Sequence, residues 1–199
     1  MCPDVVARSI QPSHGGRSGL HPVAPRLAPM FCLALLTASC TLASFAFACA
    51  TPFAAFAVVA AAMLPLRTAL RVVAGAWLVN QGIDFGVLHY PVDASSIAWG
   101  FVIGVAALLA TAASSMVIGL LSQGRTLLLL LAIALVVAYG TYELALLAGT
   151  PLLGGEGAFT AEIVMRIGLT CAVWLAGLVA VCEIVRLVGP ARHKGAMSA

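Results

Sequence analysis

The chain of 199 residues is 62% hydrophobic and only 9% charged, which leaves too few polar residues to cover the surface of a water-soluble fold. Its net charge of +3 is small and lies in loops and tails, which argues against nucleic-acid binding. The apolar runs are about twenty residues long, the length of a membrane-spanning helix, whereas a membrane barrel would show alternating segments of roughly ten residues. Composition therefore predicts an all-α protein embedded in a lipid bilayer.

Residues 1–28 place three arginines among Gly, Pro, Ser and His, which predicts a disordered cytoplasmic tail. A membrane domain is predicted over 29–188, followed by a basic cytoplasmic tail over 189–199. The six predicted spans of this domain are about 30–50, 52–66, 70–89, 97–121, 126–148 and 161–188. Pro52 and Pro65 bracket the second span, as helix breakers would. That span reaches only about 22 Å of a hydrocarbon core of about 30 Å, so we expect it to be tilted, shielded by its neighbours or partly re-entrant.

The distribution of Lys and Arg sets the number of spans and their orientation, because these residues mark cytoplasmic ends. Apart from Arg166, which lies within the sixth span, the basic positions outside the first tail are Arg67, Arg71, Arg125, Arg186, Arg192 and Lys194. The loops around 50–51, 89–96 and 148–160 contain neither Lys nor Arg. Six spans with both termini in the cytoplasm put every basic loop on one side. A rival interpretation makes 30–50 a signal peptide, since the small-residue stretch "AFACATP" follows an apolar run.

Polar residues gather in the stretch "WLVNQGIDFGVLHYP", residues 77–91. Asn80 and Asp84 are four residues apart on one helical face, with Gln81 beside them, and His89 and Tyr90 follow at the outer end of the span. Placing such groups in hydrocarbon is energetically unfavourable. They normally face the interior of a helical bundle and interact with partners there.

The fifth and sixth spans add further polar residues at the same depth. Tyr142 and Glu143 lie near the outer end of the fifth span, and Arg166 lies in the first turns of the sixth. We expect Arg166 near Asp84, near Glu143 or near both, in a polar pocket open to the outside. The alternatives are structural: interhelical hydrogen bonds for Asn80 and Gln81, an ion pair alone for Asp84, and an interfacial pair of Glu162 with Arg166.

Two GxxxG patterns, Gly82 with Gly86 and Gly100 with Gly104, predict a close approach of the third and fourth spans at their outer ends. Most of the six cysteines lie in apolar segments and are expected to be small core residues. The sequence contains no HExxH, GxSxG or P-loop motif, so an enzymatic function and a prosthetic group are not predicted.

Several short motifs carry a resemblance to a known family. These are "ATPFAAF" after the first span, "WLVNQGIDFG" in the third, and "YP" and then "WG" leading into the fourth. With its length and six spans, the chain resembles the BtuM-type cobalamin transporters of bacteria. These are solitary relatives of the substrate-binding S-components of energy-coupling factor transporters. The resemblance covers about residues 28–188.

The resemblance implies an S-component-like bundle in the bacterial cytoplasmic (inner) membrane, with a cobalamin pocket on its outer side. It also implies a corrinoid ligand and an energising ATPase module as a candidate partner. Members of the family carry a cysteine near the third and fourth spans that coordinates cobalt and serves in decyanation. This chain has no cysteine between Cys49 and Cys171, which places that chemistry in doubt. His89 stands in this region, and a neutral imidazole can bind cobalt, so His89 is a candidate axial ligand that competes with an ordinary interfacial histidine.

The leading hypothesis is therefore a membrane protein that binds a corrinoid from the outer side and mediates its uptake. Its candidate ligand-binding residues are Asn80, Gln81, Asp84, His89, Tyr90, Tyr142, Glu143 and Arg166. Two other hypotheses are a non-transporting accessory or assembly protein and a small carrier for another vitamin or a metal ion.

Overall fold

A computed structural model describes residues 20–47, 51–122 and 125–195, and all regular structure in these ranges is helical. The α-helices are α1 (Ala28–Phe47), α2 (Phe53–Met63), α3 (Leu66–Gly86), α4 (Ala94–Leu121), α5 (Leu127–Leu153) and α6 (Ala161–Gly195). A short 3-10 helix, Glu156–Phe159, joins α5 to α6. The all-helical prediction is confirmed for the described residues.

Four of these helices, α1, α4, α5 and α6, are long and apolar enough to cross a membrane. Their outward faces carry large apolar side chains that no other part of the described chain covers. Leu120, Leu128 and Leu152 are 75–88% exposed, an arrangement suited to lipid and costly in water. Helix α2 is too short to cross a membrane, and α3 contains Arg67, Arg71 and Asp84 among its 21 residues.

Each helix runs in the direction opposite to its predecessor. Helices α1 and α3 are parallel, because Cys40 lies against Ala76 and Ser44 lies against Asn80, one turn farther along both helices. Helix α4 runs the other way, since its first residues meet the end of α3 and its later residues lie toward the start of α3. The ends of α1, α3 and α5 therefore meet the starts of α2, α4 and α6 at one end of the bundle.

Helix α2 lies at the centre of this bundle and packs against all five of the other helices. All eleven of its residues are buried. It can occupy this position because Ala and Val dominate its sequence, so the surrounding helices approach it closely. Pro52 precedes the helix, and Leu64 and Pro65 end it in extended backbone. Of the three arrangements expected for the short second helix, the structure shows the one in which its neighbours shield it.

The segment before α1 has contacts that composition did not suggest. Leu20 is 2% exposed, and its backbone N–H donates to the carbonyl of Ala62 at 3.2 Å, near the end of α2. The prediction of a disordered tail lies outside the described residues for 1–19. Leu20 and Val23 pack against the bundle, because the apolar end of α2 gives Leu20 a site to bury.

Two helices extend beyond the predicted spans. Helix α5 continues through Pro151 to Leu153, where Gly154 ends it with a positive φ of 78°. Pro151 is tolerated in the last turn, where few hydrogen bonds remain to be lost. The backbone of α6 remains helical to Gly195, within the predicted basic tail. Four cysteines, Cys32, Cys40, Cys171 and Cys182, are buried and free, as expected of core residues.

Candidate functional site: a cavity between the ends of α3 and α4

A cavity of about 440 Å³ opens at the end of the bundle where α3 ends and α4 begins. Its size falls within the range of pockets that enclose small organic molecules. The lining combines aromatic rings with amides, hydroxyls and one carboxylate. The residues are Thr51, Phe53, Asn80, Gln81, Asp84, Phe85, Tyr90, Pro91, Ser95, Ser96, Trp99, Gly100, Ile103 and Tyr142.

The polar floor of the cavity is a hydrogen-bonded row on α3. Asn80 is 3% exposed and donates from its side-chain amide to Ser44 Oγ of α1 at 3.1 Å and to Asp84 Oδ2 at 2.9 Å. The i,i+4 spacing of Asn80 and Asp84 puts these two groups one above the other, as the sequence predicted. The other carboxylate oxygen of Asp84, Oδ1, is buried and has no hydrogen-bond partner.

The wall between α3 and α4 is set by two glycines of α4. A Cβ atom on Gly104 would lie 2.6 Å from the Trp77 ring, and one on Gly100 would overlap the side-chain amide of Gln81. Trp77 also donates its indole N–H to the carbonyl of Gly100 at 2.9 Å. The predicted close approach of the two helices is therefore confirmed at Gly100 and Gly104 and places Gln81 in the cavity.

The second glycine pattern does not take part in this contact. A Cβ on Gly82 or Gly86 would meet no atom of the described chain within 4 Å, because both glycines lie on the opposite face of α3. The prediction that this pair also brings α3 close to α4 is wrong. The i,i+4 spacing places two residues on one helical face but does not specify which neighbour that face meets.

The turn between α3 and α4 closes one side of the cavity. The backbone N–H of Tyr90 donates to the carbonyl of Asp84 at 3.0 Å, which folds the chain back over the end of α3. Asp93 then caps α4 by accepting a hydrogen bond from the backbone N–H of Ser96 at 2.8 Å. Hydrogen bonds from Ser96 and Ser95 hold the pKa of the Asp93 carboxyl below its usual range. This cap positions Ser95, Ser96 and Trp99 along the cavity wall.

His89 occupies the sharpest point of this turn and is exposed. Its φ of 56° lies in the left-handed region, which histidine adopts more often than most other non-glycine residues. Its Nδ1 lies 2.7 Å from the carbonyl oxygen of Val87. Because a carbonyl oxygen only accepts hydrogen bonds, Nδ1 is the donor in this contact. His89 does not line the cavity, although the adjacent Tyr90 does.

Five of the eight predicted site residues line the cavity: Asn80, Gln81, Asp84, Tyr90 and Tyr142. The other three, His89, Glu143 and Arg166, lie outside its lining. Glu143 lies beside the Tyr139 hydroxyl, which in turn donates to the carbonyl of Val164 at 2.6 Å and joins α5 to α6.

The expected pairing of Arg166 with Asp84 or Glu143 is not found. Arg166 is exposed, and within the described ranges the salt bridge present joins Glu183 to Arg186, at the far end of α6. The reason is the position of α6, which packs mainly against α2 and leaves one face open. Arg166 lies on that open face.

Sequence reasoning did not assign Phe53, Phe85, Ser96 or Ile103 to the site. Phe85 is adjacent to Asp84, which was assigned, so its proximity was a usable signal. Phe53 is the first residue of α2, and no local sequence pattern indicates that this buried central helix begins beside the cavity.

The lining has a clear chemical bias. It contains one carboxylate and no Lys, Arg or His, so it favours hydrogen-bond donors and cations over anions. Among the residues that the structure describes, no group of three or more His, Cys, Asp or Glu residues could hold a metal ion.

Comparisons of the chain with protein-family models, with curated proteins and with solved structures find no match. The functional argument therefore rests on the geometry of the cavity and, for the class of ligand, on the sequence motifs.

Proposed function

We propose that this protein is a membrane uptake protein that binds a corrinoid, such as cobalamin, at the cavity between α3 and α4. The observation that carries the proposal is the cavity itself, which opens at one end of a lipid-facing bundle and combines aromatic walls with convergent polar groups. The ligand class comes from the resemblance of residues 50–56 and 77–100 to the BtuM-type family. A whole corrinoid is larger than the cavity, so one edge of the ring system would enter and the rest would lie over the mouth.

The proposed topology has six passes, with both termini in the cytoplasm of a bacterial cell and the cavity facing outward. The alternating helix directions support it. So do the charges, because Arg67 and Arg71 begin α3, Arg125 precedes α5 and Arg186 lies late in α6, all at the end opposite the cavity. Fusion of a cytoplasm-specific reporter to the C-terminus tests this orientation, and an active periplasmic reporter at that position would contradict it.

His89 is the proposed axial ligand to the corrinoid cobalt. Its hydrogen bond to the Val87 carbonyl supports this role, since metal-binding histidines commonly donate the other ring N–H to a backbone carbonyl. His89 is adjacent to Tyr90, which lines the cavity, and the proposal has it meet the part of the corrinoid that lies over the mouth. The expected result is that His89→Ala changes the visible spectrum of bound aquocobalamin. An unchanged spectrum with unchanged affinity would remove the ligand assignment while leaving the binding proposal in place.

The direct test is a titration of the purified protein with cyanocobalamin, followed by equilibrium dialysis. Saturable binding to the wild type is expected, with weakened binding in Trp99→Ala, which removes an aromatic wall. Arg186→Gln is a suitable control because Arg186 lies at the opposite end of the bundle and is paired with Glu183. Growth rescue of a cobalamin-dependent strain that lacks its own uptake system would then test transport, with and without an energising ATPase module as the partner.

The hydrogen bond from Asn80 to Ser44 favours a second candidate function, because it shows that part of the polar row joins α1 to α3. In that case the chain is an accessory protein that stabilises a partner complex. It would purify with protein partners, fail to bind cyanocobalamin and fail to restore growth.

A further inference from the structure

We infer that Asp84 selects the chemical group that enters the cavity, which is an N–H donor such as a carboxamide rather than a carboxylate or phosphate. The inference deepens the proposed function and rests on it, because it assigns a specificity-determining residue to the same site. It concerns the part of the corrinoid that reaches the floor of the cavity.

The first observation is the incomplete hydrogen bonding of the Asp84 carboxylate. Oδ2 accepts from the Asn80 amide, whereas Oδ1 is buried and has no partner. Buried polar atoms in folded proteins nearly always have a hydrogen-bond partner, and an unpartnered carboxylate oxygen is among the costliest exceptions. Because Asp84 lines a ligand-sized cavity, a donor carried by the ligand can supply the missing hydrogen bond once the carboxylate turns to present this oxygen.

The second observation is that no side chain of the described residues donates to Oδ1. Both N–H groups of the Asn80 side-chain amide are already used, one to Ser44 Oγ and one to Asp84 Oδ2. The cavity lining contains no basic residue. Arg166, the cation expected to serve as a partner, is exposed on α6 and makes no salt bridge within the described part of the chain.

The third observation is the shape of the surroundings. Phe85, Tyr90 and Trp99 line the same cavity as Asp84 and provide flat apolar surfaces around a single acidic group. A planar carboxamide fits between such surfaces and directs its N–H at the carboxylate. A carboxylate in the same place would face Asp84 as a like charge with little water between them. Corrinoids carry primary carboxamides around the edge of the ring, which is the part that the cavity can admit.

The experiment compares cyanocobalamin with its monocarboxylic acids, each of which has one peripheral carboxamide hydrolysed. Wild-type protein is expected to bind at least one of these acids about tenfold or more weakly than cyanocobalamin, because repulsion replaces a hydrogen bond to a charged group. Asp84→Asn keeps the side-chain shape, removes the charge and supplies a donor. Asp84→Asn should therefore lower the affinity for cyanocobalamin and raise the affinity for that same acid. The preference of the wild type is then reversed or abolished.

Glu143→Gln is the matched control. It also removes a carboxylate, but that carboxylate belongs to a residue of α5 that does not line the cavity. This variant should keep the wild-type preference. Slow reaction of the four buried cysteines with a maleimide dye shows that each variant is folded. If Asp84→Asn does not fold, the wild-type affinities for the separate acids still decide the matter.

The outcomes separate the two proposals. Equal wild-type affinity for cyanocobalamin and every monocarboxylic acid would overturn the role of Asp84 and leave corrinoid binding intact. An unchanged preference in folded Asp84→Asn would do the same. Failure of folded wild-type protein to bind cyanocobalamin at all would overturn the proposed function, and the role of Asp84 with it.

Discussion

The two faces of α3 differ sharply although both involve a GxxxG pattern. On one face, Trp77 and Gln81 lie against Gly100 and Gly104 of α4, where even one added carbon would collide with a side chain. On the other face, Gly82 and Gly86 have open space beside them in the described structure. The comparison shows that a small-residue pattern becomes a contact only where a neighbouring helix presents a side chain that needs the room.

The largest expected effect comes from filling the tight face. Gly104→Val should lower the free energy of unfolding by about 3 kcal/mol, the upper end of the usual range for overpacking, because its Cβ would meet the rigid Trp77 ring. Thermal unfolding in detergent, followed by a maleimide dye that reacts with the buried cysteines, measures it. Gly86→Val is the control and should change stability little. A comparable loss in Gly86→Val, or a change in oligomeric state, would show that the open face has a partner.

The next effect concerns the polar row of Asn80 and Asp84, which a hydrogen bond joins to Ser44 of α1. Asn80→Leu removes the donor to both Ser44 and Asp84 and leaves the buried Ser44 hydroxyl without it, so we expect a loss of about 2 kcal/mol in the free energy of unfolding. Val79→Leu, one residue away on the open face, should be nearly neutral. Equal unfolding midpoints for the two variants would mean that the row contributes nothing to stability and serves binding alone.

A smaller effect is expected at the contact between Trp77 and α4. Trp77→Phe keeps an aromatic ring on Gly104 but removes the indole N–H that donates to the Gly100 carbonyl. A loss of about 1 kcal/mol is expected, the usual net contribution of one hydrogen bond, with some additional loss of packing. Leu78→Ala on the exposed face provides the comparison, and a larger loss there would reverse the assignment of the two faces.

The smallest effect concerns the cap that sets where α4 begins, and hence the register of its glycines. The pKa of Asp93 is lower in the folded protein than in the unfolded chain. The cap therefore makes its full contribution to stability when the pH is above the pKa of the unfolded chain. Its contribution is lost as the pH falls through the folded pKa. Asp93→Asn keeps a capping acceptor without this titration, so the unfolding midpoints of variant and wild type should converge on acidification. Midpoints that remain a constant distance apart would contradict this role.

Much of the fold could be predicted because its signals are local. Apolar length defines α1, α4 and α5, and the two prolines define the limits of α2. The i,i+4 spacing placed Asn80 and Asp84 on one face, and both line the cavity. These are consequences of helix geometry, which is the same in any surroundings.

The missing parts depend on which helices become neighbours. Arg166 was expected near Asp84, Glu143 or both because a charge in hydrocarbon needs a partner, yet α6 packs on α2 and leaves that side chain exposed. Phe53 reaches the cavity only because α2 is central. Neither fact is present in the spacing of residues along one helix, since each depends on contacts between segments far apart in the chain.

The burial of α2 has a consequence for how the protein is made. At eleven residues this helix is about 16 Å long, and a bilayer core of about 30 Å would leave both of its ends unsatisfied if it stood alone. The neighbours that enclose it include α4, α5 and α6, which the ribosome synthesises later. Helix α2 therefore reaches its final environment only after most of the chain has been synthesised. If synthesis is arrested after α3, the insertion machinery has to cover α2 in the resulting intermediate.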